Sequence, residues 1–129
     1  LLESIEGTAA DDWPPSPPLQ TLSIETLEEG RRAAFLVGMA GRGHWSASIE
    51  PVDGEAKLIF DVACRHSQVP QWLGSLYKQN AAKQPRLLVQ SEIGQINIDN
   101  ETWRFEPATP TASAATTRWR YVIALRPDF

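Results

Sequence analysis

The stretch 44–52 alternates between apolar and polar residues, the pattern of a β-strand buried on one face only. Trp45, Ala47 and Ile49 share the apolar face. Asp53-Gly54 follows, a dipeptide that favours tight hairpin turns, and the alternation resumes over 57–65. These signals predict a hairpin of two antiparallel strands. Its polar face carries His44, Ser46, Ser48 and Glu50 from the first strand.

Two further segments precede this hairpin and extend it. The stretch 20–28 reads as a strand, and the turn after it contains Gly30, a residue suited to positive φ. The stretch 32–40 has few polar residues, which is typical of a strand covered on both faces. Short turns join all four segments, so the sequence predicts an antiparallel meander.

One helix is predicted over residues 67–80. Its apolar side chains recur at spacings of three and four residues, as on one face of a helix. Ser67 is a suitable N-cap, and Pro70 would stand in the first turn, where its missing N–H costs nothing. The apolar face comprises Val69, Trp72, Leu73, Leu76 and Tyr77.

The last third returns to strand patterns, separated by a long loop over 107–117 that is rich in Thr, Ala and Ser. The expected fold is therefore mainly β: an antiparallel meander of about seven or eight strands, forming a sandwich or a partly closed barrel with the helix packed on it. The strands predicted here are 86–92, 95–99, 102–106 and 118–126.

Residues 1–18 form an acidic, proline-rich segment, whereas 19–129 reads as a single β-rich domain. The segment ends in Trp13-Pro-Pro-Ser-Pro-Pro18, which favours an extended polyproline II conformation. Such a segment is an arm that binds an aromatic groove of a partner, a stiff linker, or an arm whose Trp13 packs on its own domain.

Charge and cysteine content exclude several classes of protein. The net charge is −4, and from Trp13 onward acidic and basic residues balance, so a nucleic-acid surface is not expected. No apolar run approaches the roughly 20 residues of a membrane span.

The single cysteine, Cys64, excludes an intramolecular disulfide, and it continues an apolar strand face, which predicts a buried core residue. The chain begins at Leu1 without methionine, which indicates a fragment and leaves cytoplasmic and exported locations both open.

The predicted hairpin places His44 and His66 at nearly equal distances from its turn, so we expect them to lie close together. With Glu50 and Asp61 they form the best set for a hydrolase. The sequence has no phosphate-binding loop, dinucleotide-binding glycine motif or nucleophile elbow, and no cofactor is predicted. Two histidines across a hairpin are weak support for a metal, so none is predicted.

The leading hypothesis is a binding or interaction module without evident catalytic machinery. The alternatives are a carrier whose apolar cavity is walled by tryptophans and Phe60, or the hydrolase. A protein partner, self-association through exposed edge strands or a small apolar ligand is compatible with these hypotheses. The candidate binding residues are His44, Ser46, Ser48, Glu50, Asp61, Arg65, His66, Trp45, Trp103 and Trp119.

Overall fold

Two antiparallel sheets pack face to face in the computed structural model of this chain. The structure describes residues 2–8, 10–41, 43–79, 87–108 and 115–125. Their strands are β1 (Leu2–Ser4), β2 (Thr21–Thr26), β3 (Arg32–Ala40), β4 (Gly43–Pro51), β5 (Lys57–His66), β6 (Ser75–Gln79), β7 (Leu87–Ile93), β8 (Gln95–Asp99), β9 (Thr102–Glu106) and β10 (Ala115–Leu125). This arrangement is a β-sandwich, which is one of the two architectures that the sequence predicts.

The larger sheet has the strand order β2-β3-β4-β5-β10-β7, and the smaller has the order β1-β6-β9-β8. The predicted meander is confirmed as β2 to β5, joined by short turns in which Gly30, Gly41 and Gly54 take positive φ. β10 then pairs with β5 along ten residues on one side and with β7 on the other, so β7 is the second edge strand of this sheet. β10 begins at Ala115, so the predicted loop over 107–117 is shorter at that end, and 109–114 lie outside the described residues.

The helix predicted over 67–80 is wrong in the described residues. Residues 67–74 are irregular, and Ser75–Gln79 form β6 between β1 and β9. Val69, expected on the buried helical face, is exposed. Gly74 weakens a helix, and the pairing of β6 with two neighbouring strands outweighs the chance helical spacing of the apolar residues. Residue 80 lies outside the described residues.

Segment 2–19, which contains the predicted arm, contacts both sheets. Its first residues form β1 on the edge of the smaller sheet. Pro14, Ser16 and Pro17 are buried, and Trp72 donates its indole N–H to the Pro15 carbonyl oxygen at 3.0 Å. The division of the chain at residue 18 stays a prediction, but the proline faces of the segment are largely turned towards its own sheets.

An aromatic core lies between the sheets. The Tyr121 ring is stacked between Phe60 and Phe105, with centroid distances of 4.9 and 4.1 Å. Its hydroxyl lies 2.7 Å from that of Tyr77, and burial raises the pKa of both phenols, so the pair stays protonated at neutral pH. Trp119 donates its indole N–H to Ser75 Oγ at 3.0 Å. The polar atoms of these rings are thus paired within the core.

Candidate functional site

The outer face of the larger sheet carries most of the polar residues that the sequence singles out. In β4, His44, Ser46, Ser48 and Glu50 stand opposite Arg65, Ala63, Asp61 and Ile59 of β5, in that order. Directly opposed residues of an antiparallel pair share a face, so alternation along both strands brings these side chains together on one surface.

His66 does not join that surface. His44 pairs with Arg65, so His66, one residue farther along β5, points to the inner face. It is buried between the sheets, where Nδ1 lies 2.9 Å from the Gln68 carbonyl oxygen and Nε2 lies 2.7 Å from Thr117 Oγ1. The expected closeness of the two histidines is therefore wrong, because the sheet separates their rings. The described residues contain no group of side chains suited to a metal ion.

The two carboxylates of the hydrolase hypothesis are engaged in ion pairs. Glu50 accepts a hydrogen bond from Arg31 at 2.8 Å. Asp61 binds Arg118 through both of its oxygens and Arg120 through one, and these partners hold the pKa of its carboxyl below the usual range, the Arg118 hydrogen bonds contributing most. A carboxylate held in this way stays ionised at neutral pH and is unsuited to general acid catalysis.

The three tryptophans proposed to wall a carrier cavity belong to the packed core. Trp45, Trp103 and Trp119 are all buried in one apolar cluster, and Phe60 packs against that cluster. The Trp103 indole N–H is buried without a hydrogen-bond partner among the described residues. These rings contribute to the stability of the sandwich, and a ligand cavity among them stays a prediction.

Cys64 is the fully buried core residue that the sequence predicts. Burial raises the pKa of its thiol to about 12, so the thiolate is not populated at neutral pH. Cys64 is therefore a packing residue and not a nucleophile.

A groove of about 530 Å³ crosses the outer face where β3, β4 and β5 meet the start of β2. We call it the Met39 groove. The residues that line it include Thr21, Val37, Met39, His44, Ser46 and Arg65. Val37 and Met39 are 51% and 53% exposed, so the prediction that their strand is covered on both faces is wrong for this part of β3. Val37 and Met39 are neighbours on one face of β3, and a contiguous apolar patch rimmed by polar residues is the form that interaction sites take.

Residues just before β2 contact β3 closely beside the groove. The Gln20 side-chain amide pairs with Met39, accepting from its N–H at 3.3 Å and donating to its carbonyl oxygen at 3.4 Å. A Cβ on Gly38 would lie 1.4 Å from the Pro18 carbonyl oxygen, so only glycine allows this close approach. Segment 18–20 and β3 are thereby joined at the groove.

Arg65 supplies the positive charge of the groove. Arg31, Arg118 and Arg120 on the same sheet are paired with carboxylates. Within the part of the chain that the structure describes, Arg65 has no ion pair, and its side chain is exposed. Its guanidinium is therefore available to a carboxylate from outside the chain.

Scans against protein-family models, curated proteins and solved structures find no match for this chain. No helix in the described residues is long and apolar enough to cross a membrane. Function is accordingly inferred from the geometry of the surface alone.

Proposed function

We propose that this chain is a protein-interaction module that holds an extended segment of a partner in the Met39 groove. The observation that supports the proposal most directly is the exposure of Val37 and Met39 beside Arg65. Arg31, Arg118 and Arg120 are paired with carboxylates, whereas Arg65 has no ion pair with any residue that the structure describes. The groove thus combines an apolar floor with a single available charge.

The ligand chemistry follows from that combination. Val37 and Met39 favour an apolar side chain, and methionine adapts its shape to different partners. Arg65 favours a carboxylate, which its planar guanidinium binds with two parallel hydrogen bonds. His44 and Ser46 add hydrogen-bonding groups at the rim. The preferred segment has an apolar residue next to an aspartate or glutamate.

Binding is better supported than catalysis on this surface. The hydrolase set is divided between the two faces of the sheet, and both of its carboxylates are held by arginines. The groove is open and lies over β3, β4 and β5, which are neighbouring strands of the larger sheet. An open, preformed groove with few polar anchors suits recognition of an extended chain.

A displayed library of random peptides tests the proposal. Peptides selected on the wild-type protein are synthesised with a fluorescent label, and Kd is measured by polarisation. We expect enrichment of apolar residues next to Asp or Glu. Arg65→Gln removes a charge-assisted hydrogen bond and should weaken binding about tenfold. Met39→Glu should weaken it at least as much, because it removes the apolar contact and adds repulsion.

Ile98→Glu is the matched control. Ile98 is 55% exposed, close to the exposure of Met39, but it lies on β8 in the smaller sheet. The control should bind the selected peptides as the wild type does, and circular dichroism checks that each variant is folded. Peptides that bind the Met39→Glu and Arg65→Gln variants as tightly as the wild type would contradict the proposal, as would a failure to enrich any peptide.

A further inference from the structure

Among the residues that the structure describes, no strand pairs with the outer edge of β2 in the larger sheet. β2 pairs with β3 on one side and is the terminal strand of its sheet. All six of its residues are exposed, including Leu22 and Ile24, each 60% exposed. Natural edge strands are usually protected by lysine, proline or a bulge, but Thr21–Thr26 contains neither lysine nor proline. This edge is an apolar strand available for pairing.

The free main-chain groups of this edge belong to the same residues as its apolar side chains. Leu27 donates its N–H to the Arg31 carbonyl oxygen, in the register that continues the β2–β3 ladder. Hydrogen-bonded and non-hydrogen-bonded positions alternate along an antiparallel pair. Ser23 therefore turns its main-chain groups towards β3, and Leu22 and Ile24 turn theirs towards the open edge.

Such an edge is complementary to itself. When two copies of β2 meet antiparallel about a two-fold axis at Ser23, Leu22 of each copy stands opposite Ile24 of the other. Both residues have outward main-chain groups, so each opposed pair exchanges two hydrogen bonds. Their side chains meet on the same face, where apolar cross-strand pairs are stabilising. Glu25 of one copy faces Thr21 of the other, so no like charges are opposed.

We propose that a second copy of this chain binds the β2 edge about this axis, which joins two six-stranded sheets into one continuous sheet. A two-fold axis at Ile24 would also pair outward groups, but it places each Leu22 opposite a Thr26 and leaves Ile24 opposite Ile24 as the one apolar pair instead of two. The axis at Ser23 pairs all four exposed apolar side chains with one another. It also brings Glu25 of the second copy beside Thr21, at the rim of the Met39 groove.

Sedimentation of the full chain at increasing concentration tests the association. The wild type should pass from monomer to dimer. Ile24→Lys should remain monomeric, because a charge at this position would face the apolar residues of the second copy. A wild type that stays monomeric at every concentration would overturn the proposal, as would a dimer that persists in the Ile24→Lys variant.

Oxidative cross-linking tests the register. Two Ser23 residues opposed at a non-hydrogen-bonded position have Cα atoms about 4.5 Å apart, within the range of a disulfide. Ser23→Cys should therefore cross-link rapidly, and native Cys64 does not interfere because it is fully buried. Thr21→Cys is the control, since its two copies lie more than about 13 Å apart in this register. Equal cross-linking of the two variants would overturn the proposed axis. Peptide binding in the Met39 groove is measured separately, so either proposal can fail alone.

Discussion

The hydroxyl of Ser16 ties the proline-rich segment to the smaller sheet, and removing it tests how much that contact stabilises the fold. Ser16 is 2% exposed. Its Oγ donates to the Leu76 carbonyl oxygen and accepts from the Leu76 N–H, both at 3.0 Å. Ser16 thus takes the place of a strand neighbour at the point where β1 has ended.

The loss of unfolding free energy in Ser16→Ala depends on which hydrogen bonds the Leu76 main-chain groups retain. The Leu76 carbonyl oxygen also accepts from the Ile5 N–H at 2.8 Å, so it remains paired. The Leu76 N–H loses its partner, and buried Pro14 and Pro17 on either side of Ser16 hinder access of water. A buried donor left without a partner costs about 1–3 kcal/mol, so we expect a loss of about 2 kcal/mol of unfolding free energy.

Urea unfolding followed by tryptophan fluorescence measures this loss. With a slope of about 2 kcal/mol per molar, the midpoint should fall by about 1 M while the slope is unchanged. Ser67→Ala is the control, because Ser67 is exposed just after β5 and its loss should change stability by less than about 0.5 kcal/mol. A Ser16→Ala midpoint equal to that of the control would refute the reasoning, since the segment would then add nothing through this hydroxyl.

Two further predictions concern Gly38 and Asp61. Gly38→Ala should destabilise the protein by about 2–3 kcal/mol in thermal unfolding, because its Cβ would meet the Pro18 main chain; wild-type stability would contradict the close approach. Asp61→Asn should cost about 1 kcal/mol at pH 7, a small value because Arg118 and Arg120 are partly exposed. The pKa of Asp61 is lowered in the folded state from its ordinary value of 3.8, so its stabilising effect is present above that value and is lost as pH falls below it. The difference in unfolding free energy between wild type and variant should therefore shrink towards pH 3, and a constant difference would contradict this assignment.

The strands that the sequence predicts well are those whose signals are local. β4 and β5 show a period of two, β3 is an apolar run, and turn residues bound all three; each strand pairs with its neighbour along the chain. β6 is different, because its partners β1 and β9 are distant in sequence. The helical spacing of Leu73, Leu76 and Tyr77 is local, and pairing with distant strands outweighs it. β1 has only three residues, too few to show any period.

The residues of the candidate surface also differ in whether a local sequence pattern can place them. Alternation along β4 places His44 and Ser46 on one face correctly, whereas Arg65 joins them only through the strand register, which the sequence left open. His66 is misplaced because a single residue decides the face, and strand register is needed to read it. Val37 and Met39 are apolar in an apolar strand, so their exposure depends on whether anything packs over β3 from outside. The exposure of these two side chains is a property of the whole fold, and a local sequence pattern does not predict it.

A two-dimensional ¹H–¹⁵N NMR titration with a library-selected acidic and apolar peptide tests most directly whether the Met39 groove binds a partner segment. We expect the amide shifts to change most at Val37, Met39, His44 and Arg65, with little change along β8. Changes centred on the smaller sheet, or a spectrum that the peptide leaves unaltered, would contradict it.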